Sequence, residues 1–229
     1  MRPFRIGPPL VAVLALALGA CGHSSGRAPS AVPTKFAPTT AVAVNPANIK
    51  RVVRDLPPGY EVTTGIPSAA SPRMMWSLGG DPQVKPAKCA TLADPGNGRD
   101  QLAQGVSGSG SGGIVDAVVV ALPGPVDFPE DLVAACAQWS ETAGRTVVHV
   151  HLTDAPHVDG VDTVGMVADV KSSVESGTEI DSRTYTFSAY LGNYYAFTTL
   201  TTDPGSSLPV LPPQFAADLL AKTVSTLRS

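Results

Sequence analysis

Hydrophobic residues along the chain recur with two spacings, one typical of helices and one typical of strands. Helical spacing is found in three segments that begin or end at a proline. These segments are NPANIKRVVRDLP (45–57), FPEDLVAACAQWSET (128–142) and PPQFAADLLAKTVSTLRS (212–229). In the second segment Cys136 falls on the apolar stripe, so we expect its side chain to be buried.

Strands are predicted where β-branched and aromatic residues cluster between turn-forming residues. The predicted strands are 60–64, 114–122, 146–152, 162–170, 183–191 and 194–201. The last two flank Gly192-Asn193, a pair that favours a two-residue hairpin turn. Because consecutive strands tend to be neighbours, the order of elements predicts an α+β fold with an antiparallel β-sheet and helices packed mainly on one face.

Residues 65–113 show no clear period, which is unusual for so long a segment inside a compact domain. The segment ends in GVSGSGSGG (105–113), which lacks the GK[ST] ending of a phosphate-binding loop. We expect this run to be a flexible hairpin or crossover. The rest of the segment indicates either functional loops or elements that the pattern does not reveal.

The first residues have the pattern of a signal peptide. Arg2 and Arg5 precede an apolar stretch that is shorter than the roughly 20 residues needed to span a bilayer. The stretch ends in LGAC (18–21), which resembles the lipobox of bacterial lipoproteins. This resemblance implies cleavage after residue 20 and attachment of a diacylglyceryl lipid to Cys21. A plain signal peptide followed by a stray cysteine is the alternative.

A second motif overlaps the lipobox, because GHSSG (22–26) fits the G-x-S-x-G of an esterase nucleophile elbow. An elbow needs a buried strand before the serine and a helix after it. Here Ser24 lies between the apolar signal and a segment rich in Pro, Ala and Thr, which has neither period. We therefore interpret the match as a coincidence.

The sequence predicts three parts: a signal peptide at 1–20, a flexible Pro/Ala/Thr-rich tether with the lipidated Cys21 at 21–44, and a single domain at 45–229. The chain has 16 Lys and Arg against 19 Asp and Glu, a net charge of −3. This acidic balance disfavours a nucleic-acid partner and electrostatic adhesion to anionic lipid. We expect the domain to lie outside the cytoplasm on the outer face of the cell membrane, held by its lipid.

Two cysteines remain once Cys21 is assigned to lipid. Outside the cytoplasm, such a pair most simply forms a disulfide, here between Cys89 and Cys136. Two buried free thiols are the alternative, since free cysteine behaves as a small hydrophobic residue. The absence of a C-x-x-C pair in the sequence argues against a redox role.

A pair of histidines offers candidate metal ligands. On the strand predicted at 146–152, His149 and His151 point to the same face, and His157 or nearby Asp residues of the following loop are possible further ligands. The alternative is a solvated sheet face with unpaired histidines. The sequence otherwise indicates no cofactor.

The hairpin at the end of the sheet carries aromatic residues on both faces. Pairing Leu191 with Tyr194 places Tyr190, Tyr195 and Phe197 on one face, together with Thr and Ser. An apolar surface with a few hydroxyl groups can line a ligand groove, so these three residues are candidate binding residues. The alternative is that helices simply cover them.

The whole pattern resembles a known family. The lipobox, the tether, LPPGY (56–60) and the cysteines in KCATL (88–92) and AACAQW (134–139) resemble mycobacterial lipoproteins whose domain is like the extracellular sensor of the PknH receptor kinase. The resemblance covers roughly residues 45–229. It implies helices around a curved antiparallel sheet, a cleft for an unidentified ligand and no known catalysis.

The expected function is that of a lipid-anchored envelope lipoprotein with a non-catalytic ligand-binding or sensor-like domain. Its ligand would be a small molecule, a glycan or a lipid. A lipid or glycolipid carrier is a close alternative and requires a large apolar cavity. A metal-assisted envelope enzyme using His149 and His151 is a second alternative. The third is an interaction module for another envelope protein, marked by an exposed aromatic patch.

Overall fold

The computed structural model describes residues 43–205 and 207–229 of the chain. The predicted signal peptide, Cys21 and nearly all of the predicted tether lie outside the described residues. The strands are β1 (Glu61–Thr63), β2 (Gln83–Lys85), β3 (Leu102–Gly110), β4 (Gly113–Ala121), β5 (Gln138–Ala143), β6 (Thr146–Thr153), β7 (Thr163–Ser173), β8 (Glu179–Tyr190) and β9 (Tyr194–Thr202). The α-helices are α1 (Pro72–Met75), α2 (Ala90–Ala93), α3 (Glu130–Ala135) and α4 (Pro213–Leu227), and the 3-10 helices are η1 (Pro46–Asp55) and η2 (Ala87–Cys89).

These strands form one antiparallel sheet in the order β1-β3-β4-β9-β8-β7-β6-β5-β2. The sheet is open, with the short strands β1 and β2 at its edges, and it is not strongly curled. The β8–β9 hairpin turns at Gly192-Asn193, and Tyr190 lies opposite Tyr195 in the predicted register. The structure therefore confirms an α+β fold built on an antiparallel sheet, in which the implied curvature is weak.

One face of the sheet, here called the α4 face, is covered by η1 and α4. Ile49 and Val52 of η1 and Leu220 and Val224 of α4 are buried there against β3, β4, β8 and β9. Pro213 suits the first turn of α4 because the amide N–H that it lacks would have no partner within the helix. The predicted amphipathic helix at the C-terminus is thus confirmed.

The opposite face, here called the disulfide face, is covered by the segments 66–101 and 126–136. Trp76, Leu78 and Leu92 are fully buried against this face. The two covering segments are joined by the disulfide between Cys89 and Cys136, as predicted. The two longest helices of the described chain lie on the α4 face, but α1, α2 and η2 pack on the disulfide face, so helices cover both sides of the sheet.

The helix predicted at 128–142 is wrong in its second half. α3 ends at Ala135, and the chain continues as strand β5 from Gln138. Trp139 and Glu141 are buried while Gln138 is exposed, which is the alternation of a strand. The apolar residues also fit a helical stripe, and pairing of β5 with both β2 and β6 decides the outcome. Cys136 is buried, as predicted.

The glycine- and serine-rich run is not flexible in the way the sequence suggests. Most of it forms β3, which pairs along its whole length with β4 and continues through a tight hairpin at residues 111–112. Its glycines make room for neighbours that cross the strand. A Cβ on Gly108 would lie 3.3 Å from Cδ2 of Tyr60, and one on Gly112 would lie 2.6 Å from its hydroxyl oxygen. The predicted hairpin is confirmed, and the predicted flexibility is corrected to a packed strand.

Candidate functional site

A cleft of about 370 Å³ opens at the surface of the segment that covers the disulfide face. Its walls come from the region around α1, the loop that follows α2 and the residues leading into β3. We call it the Asp94 cleft. Its lining residues are Ala69, Ser71, Arg73, Met74, Leu78, Gly80, Asp94, Gly98, Arg99, Asp100 and Gln101. The volume lies within the range of about 300–1,000 Å³ that is typical of small-molecule sites.

A largely buried ion pair lies in the wall of the cleft. Nη2 of the Arg73 guanidinium on α1 lies 3.0 Å from Oδ2 of Asp94, the residue that follows α2, and the two form a salt bridge. The Asp94 side chain is 10% exposed and that of Arg73 is 21% exposed. The other carboxylate oxygen, Oδ1, is buried and has no hydrogen-bond partner among the described residues. This oxygen is shielded from solvent, so it lies inside the wall and not on the open surface of the cleft.

A second carboxyl group lies close behind this pair. Glu141 of β5 is completely buried, and its Oε1 accepts a hydrogen bond from Nε1 of Trp139 at 2.9 Å. Burial raises the pKa of Glu141, and the charge of Asp94 raises it further. The Trp139 hydrogen bond and the charge of Arg73 oppose this rise without cancelling it. Glu141 thus belongs to the same electrostatic cluster as Arg73 and Asp94.

The three aromatic residues predicted to line an open groove are buried. Tyr195 and Phe197 are fully buried and Tyr190 is 8% exposed, because segment 66–101 covers this part of the sheet. The three residues are therefore covered and do not line an open groove, and their contact with a ligand stays a prediction. Tyr190 also lines a smaller pocket of about 260 Å³ next to the cleft.

One of the two buried tyrosine hydroxyls, that of Tyr195, contacts the wall of the cleft. The Tyr195 hydroxyl donates to Oε1 of Gln101, a residue of the cleft wall, over 3.5 Å. Burial and the charge of Asp94 raise the pKa of Tyr195, while Arg73 and Arg99 lower it. Burial also raises the pKa of Tyr190. Both hydroxyls therefore stay protonated at physiological pH.

Arg99 fixes the loop that forms the rim of the cleft. Its guanidinium group donates to three backbone carbonyls, those of Pro95, Gly96 and Pro125, at 3.0–3.1 Å. Asn97 and Gly98 have left-handed backbone angles, with φ values of 46° and 72°. The arginine thus holds a tight turn against the neighbouring loop before α3. It has a structural role, and three of its five N–H donors are engaged by these carbonyls.

The predicted histidine pair lies on β6, next to the strand that carries Glu141, but on the opposite face of the sheet. His149 and His151 are exposed on β6 and line a surface depression of about 520 Å³ with Lys85 and Gln138. Among the described residues, no group of three or more His, Cys, Asp or Glu side chains is arranged to hold a metal ion. His157, predicted as a further ligand, instead contacts Asp159 at 3.2 Å. Metal binding by the pair stays a prediction.

A wider groove of about 590 Å³ lies at one end of the sheet. Its exposed hydrophobic residues are the aliphatic Ile114, Ile180, Leu208 and Val210. An interaction module was expected to show an exposed aromatic patch, and this surface is aliphatic with acidic neighbours. It is a weaker candidate than the Asp94 cleft, because its described lining residues include no buried charged group.

Sequence reasoning missed the residues of the Asp94 cleft. Arg73, Asp94 and Gln101 lie in the segment without a clear period, where no pattern indicates which side chains meet. Glu141 falls in the part that was predicted as helix. The one available signal is its position two residues after Trp139, since alternation in a strand would bury both.

The fold and the cleft together define an α+β domain with a buried charged cluster beneath a small cleft. The chain belongs to the family DUF5642, a domain of unknown function, whose model matches residues 45–228. No curated protein matches the sequence. Within the described residues no helix is long and apolar enough to cross a membrane.

Two solved structures resemble this one. An uncharacterized protein from Mycobacterium smegmatis, the Rv0999 ortholog, is 19% identical with a TM-score of 0.59, over 81% of this chain and 98% of that chain. The extracellular domain of PknH from Mycobacterium tuberculosis is 14% identical with a TM-score of 0.46, over 82% of this chain and 93% of that chain. The first likeness shows a shared fold.

Proposed function

We propose that this protein is a lipid-anchored lipoprotein of the cell envelope whose domain binds a small ligand in the Asp94 cleft without catalysing a reaction. The observation that carries the proposal is the buried Arg73–Asp94 pair in the cleft wall. Removing charged groups from water is costly, and clusters of buried charges with shifted pKa values are concentrated at functional sites. Glu141, whose pKa is raised, interacts electrostatically with both members of the pair.

The location outside the cytoplasm rests on two independent features. The lipobox ending in Cys21 predicts a lipid anchor. The disulfide between Cys89 and Cys136 is typical of proteins in an oxidising compartment. With two or more acyl chains on Cys21 the anchor would be effectively permanent. We therefore expect two partners: the membrane, through the lipid on Cys21, and a soluble or envelope-derived ligand.

The ligand site is tested by native mass spectrometry of the full chain purified from its own envelope. We expect a co-purifying small molecule in the wild type. Ala69→Trp places a bulky ring at the rim of the cleft and should remove that molecule. Ala134→Trp, an exposed alanine of α3 that does not line the cleft, is the matched control and should retain it. A protein that is empty in all three forms would argue against the proposal.

The anchor is tested separately by the Cys21→Ser variant. We expect the wild type to fractionate with membranes and to carry the added mass of a lipid on its N-terminal peptide. The variant should lose both properties, because the attachment thiol is gone. A wild-type protein that is released without lipid would contradict the anchor and would leave the ligand site unaffected.

Both alternative functions are outcomes of the same purification. Stoichiometric zinc or copper that is lost on replacing His149 and His151 would favour the metal-assisted enzyme. A co-purifying lipid would favour the carrier, which needs a large apolar cavity. The cavities described above have volumes of 260–590 Å³ and mixed linings, which favours a small polar ligand over a lipid chain.

A further inference from the structure

The groove at the end of the sheet has the character of a protein interface. It has a volume of about 590 Å³, and we call it the Ile180 groove. Single exposed hydrophobic residues are common on proteins, but a group of them on one surface commonly marks an interaction site. Of the nine large hydrophobic side chains that are exposed in the described chain, four line this groove and are 47–55% exposed: Ile114, Ile180, Leu208 and Val210.

The groove is shaped by the folded backbone. Its walls are the β3–β4 hairpin, the start of β8, the end of β9 and the segment that leads into α4. Leu211 of that segment donates its N–H to the carbonyl of Gly112 in the hairpin at 3.0 Å, which holds two of the walls together. None of the buried polar side-chain atoms that lack a partner in the described chain belongs to a lining residue. The described walls therefore offer apolar contact and no unused buried polar group.

The charge of the groove is negative. Glu179, Asp181 and Asp203 line it and are exposed, and the described lining contains no Lys, Arg or His. Lys171 pairs with Glu179 at 3.1 Å and with Asp181 at 3.8 Å, so the three carboxylates and this one ammonium group leave a net charge of −2. Negative charge beside an apolar surface favours a partner that carries aliphatic and cationic groups together.

We infer that the Ile180 groove is a docking site for a segment of another protein in which aliphatic side chains are flanked by Lys or Arg. A second copy of this chain fits poorly, because pairing the groove with itself would bring its carboxylates against one another. An anionic lipid surface is disfavoured for the same reason. The groove is separate from the Asp94 cleft, so its test is independent of the proposed function.

Binding of defined peptides to the full chain tests the partner chemistry. The probe is KIVKLIK with blocked ends, which combines aliphatic side chains with lysines. EIVELIE keeps the aliphatic residues and reverses the charge, and KSSKSSK keeps the charge without the aliphatic residues. We expect fluorescence anisotropy of the labelled peptides to show binding of KIVKLIK alone. Added salt should weaken this binding, because exposed charges are screened.

A serine substitution tests the aliphatic part of the surface. Ile180→Ser should weaken binding of KIVKLIK by about tenfold or more, because buried apolar contact contributes most of the affinity of such an interface. Leu102→Ser is the matched control, since Leu102 is 56% exposed against 55% for Ile180 and lines none of the cavities described above. It should bind like the wild type. Thermal melts establish that both variants are folded.

A charge reversal tests the acidic part of the surface. The double variant Glu179→Lys, Asp181→Lys should lose KIVKLIK and bind EIVELIE in its place, because the sign of the groove is inverted. Glu130→Lys, Asp131→Lys on α3 is the control, since both residues are exposed, lie outside the groove and give the same change in net charge. This control should keep the wild-type preference for KIVKLIK.

Photo-crosslinking in the native envelope identifies what the groove binds. Ile180 of the full chain is replaced by p-benzoylphenylalanine, and Leu102 is replaced in the same way as the control. We expect an adduct with another protein that is specific to position 180. The crosslinked peptide of that protein should contain aliphatic residues flanked by Lys or Arg.

Three results would overturn the inference. If KIVKLIK does not bind, or binds no better than EIVELIE or KSSKSSK, the partner chemistry is wrong. Binding that Ile180→Ser leaves unchanged would place the site elsewhere. A crosslink from position 180 to lipid, to a second copy or to the chain itself, or the absence of any crosslink, would reject a protein partner. None of these results affects the Asp94 cleft, whose own test depends on Ala69.

Discussion

The Tyr60 side chain explains why the glycine- and serine-rich run at 105–113, which its composition suggests to be flexible, forms a packed strand and hairpin. Its ring lies across the β3–β4 hairpin, where Gly108, Gly110 and Gly112 provide the space. Glycine in a strand usually weakens it and commonly marks a close approach by another group. Here the three alternating glycines, which have no side chain, let the Tyr60 ring pack directly on the backbone of the hairpin. The serine and glycine content therefore reflects packing and not flexibility.

Gly110→Ala tests this packing. The new methyl group would overlap the Tyr60 ring, and the backbone angle at Gly110 is not of the left-handed kind, so the effect is steric. We expect the free energy of unfolding to fall by about 2 kcal/mol, the usual cost of overpacking. Gly79→Ala, whose methyl group meets nothing within 4 Å, should change it by less than about 0.5 kcal/mol. Urea denaturation of both variants measures the difference.

The buried carboxyl group of Glu141 makes the stability of the domain depend on pH. Because burial raises its pKa above the ordinary value of 4.5, the folded state holds the proton to a higher pH than the unfolded state does. Stability contributed by this group therefore falls as the pH rises from about 4.5 through the raised pKa, and it stays low above that value. Neutral Glu141 is the form that the fold prefers.

Glu141→Gln should consequently stabilise the protein at neutral pH. Gln keeps an oxygen for the Trp139 N–H and cannot ionise. We expect the variant to exceed the wild type in free energy of unfolding at pH 7 and to lose that advantage below about pH 4.5. Glu175→Gln, at an exposed turn residue, should follow the wild type throughout. A gain that is equal at every pH would contradict the role assigned to the carboxyl group.

At the scale of elements, the sequence predicts those whose period is unambiguous. The β8–β9 hairpin has the predicted register because Gly192-Asn193 specifies the turn and both strands alternate regularly. α4 is likewise found where its prolines and apolar stripe predict it. β5 was missed because its apolar residues fit both a helix and a strand. Pairing of β5 with β2 and β6 decides between them, and the local sequence does not specify this pairing.

The candidate site was predictable only in part. The disulfide followed from counting cysteines, and the face carrying Tyr190 and Tyr195 was assigned correctly. The contact between Arg73 and Asp94 was not predictable, because it depends on how two four-residue helices in an irregular segment meet. Short elements of this kind have little intrinsic preference, and tertiary contacts determine their place.

The disulfide is the strongest constraint on those short elements. It joins the end of η2 to the end of α3 and closes a loop over a separation of 47 residues. Replacing Cys89 and Cys136 together with Ser should lower the free energy of unfolding by about 4 kcal/mol, the chain-entropy value for a loop of this length. Chemical denaturation of the double variant, compared with the oxidised wild type, measures this loss. An unchanged midpoint would show that the covering segments hold without the bond.

At the scale of the whole molecule, the two faces of the sheet are stabilised in different ways. The α4 face is covered by a 15-residue helix and by η1, and the two are joined where Asn45 N–H donates to the Leu227 carbonyl at 2.8 Å. Asn48 also donates to the carbonyl of Ser229 at 2.8 Å. The disulfide face is covered by the segments 66–101 and 126–136, which contain only short helices. These segments are held by the disulfide and by single buried side chains such as Trp76. The Asp94 cleft lies on this less continuous side.

Hydrogen exchange of the Cys89→Ser, Cys136→Ser double variant should show that the coverings of the two faces open independently. Without the disulfide, we expect amides of residues 69–101 to exchange faster while α4 and η1 keep their protection, because local opening follows the weakest cooperative unit. Saturating ligand should slow exchange in 69–101, since binding to the closed cleft favours it by mass action. Equal acceleration in α4, η1 and 69–101 would show a single cooperative unit. The cleft would then be part of the rigid core, and the disulfide would stabilise the entire domain and not the binding surface in particular.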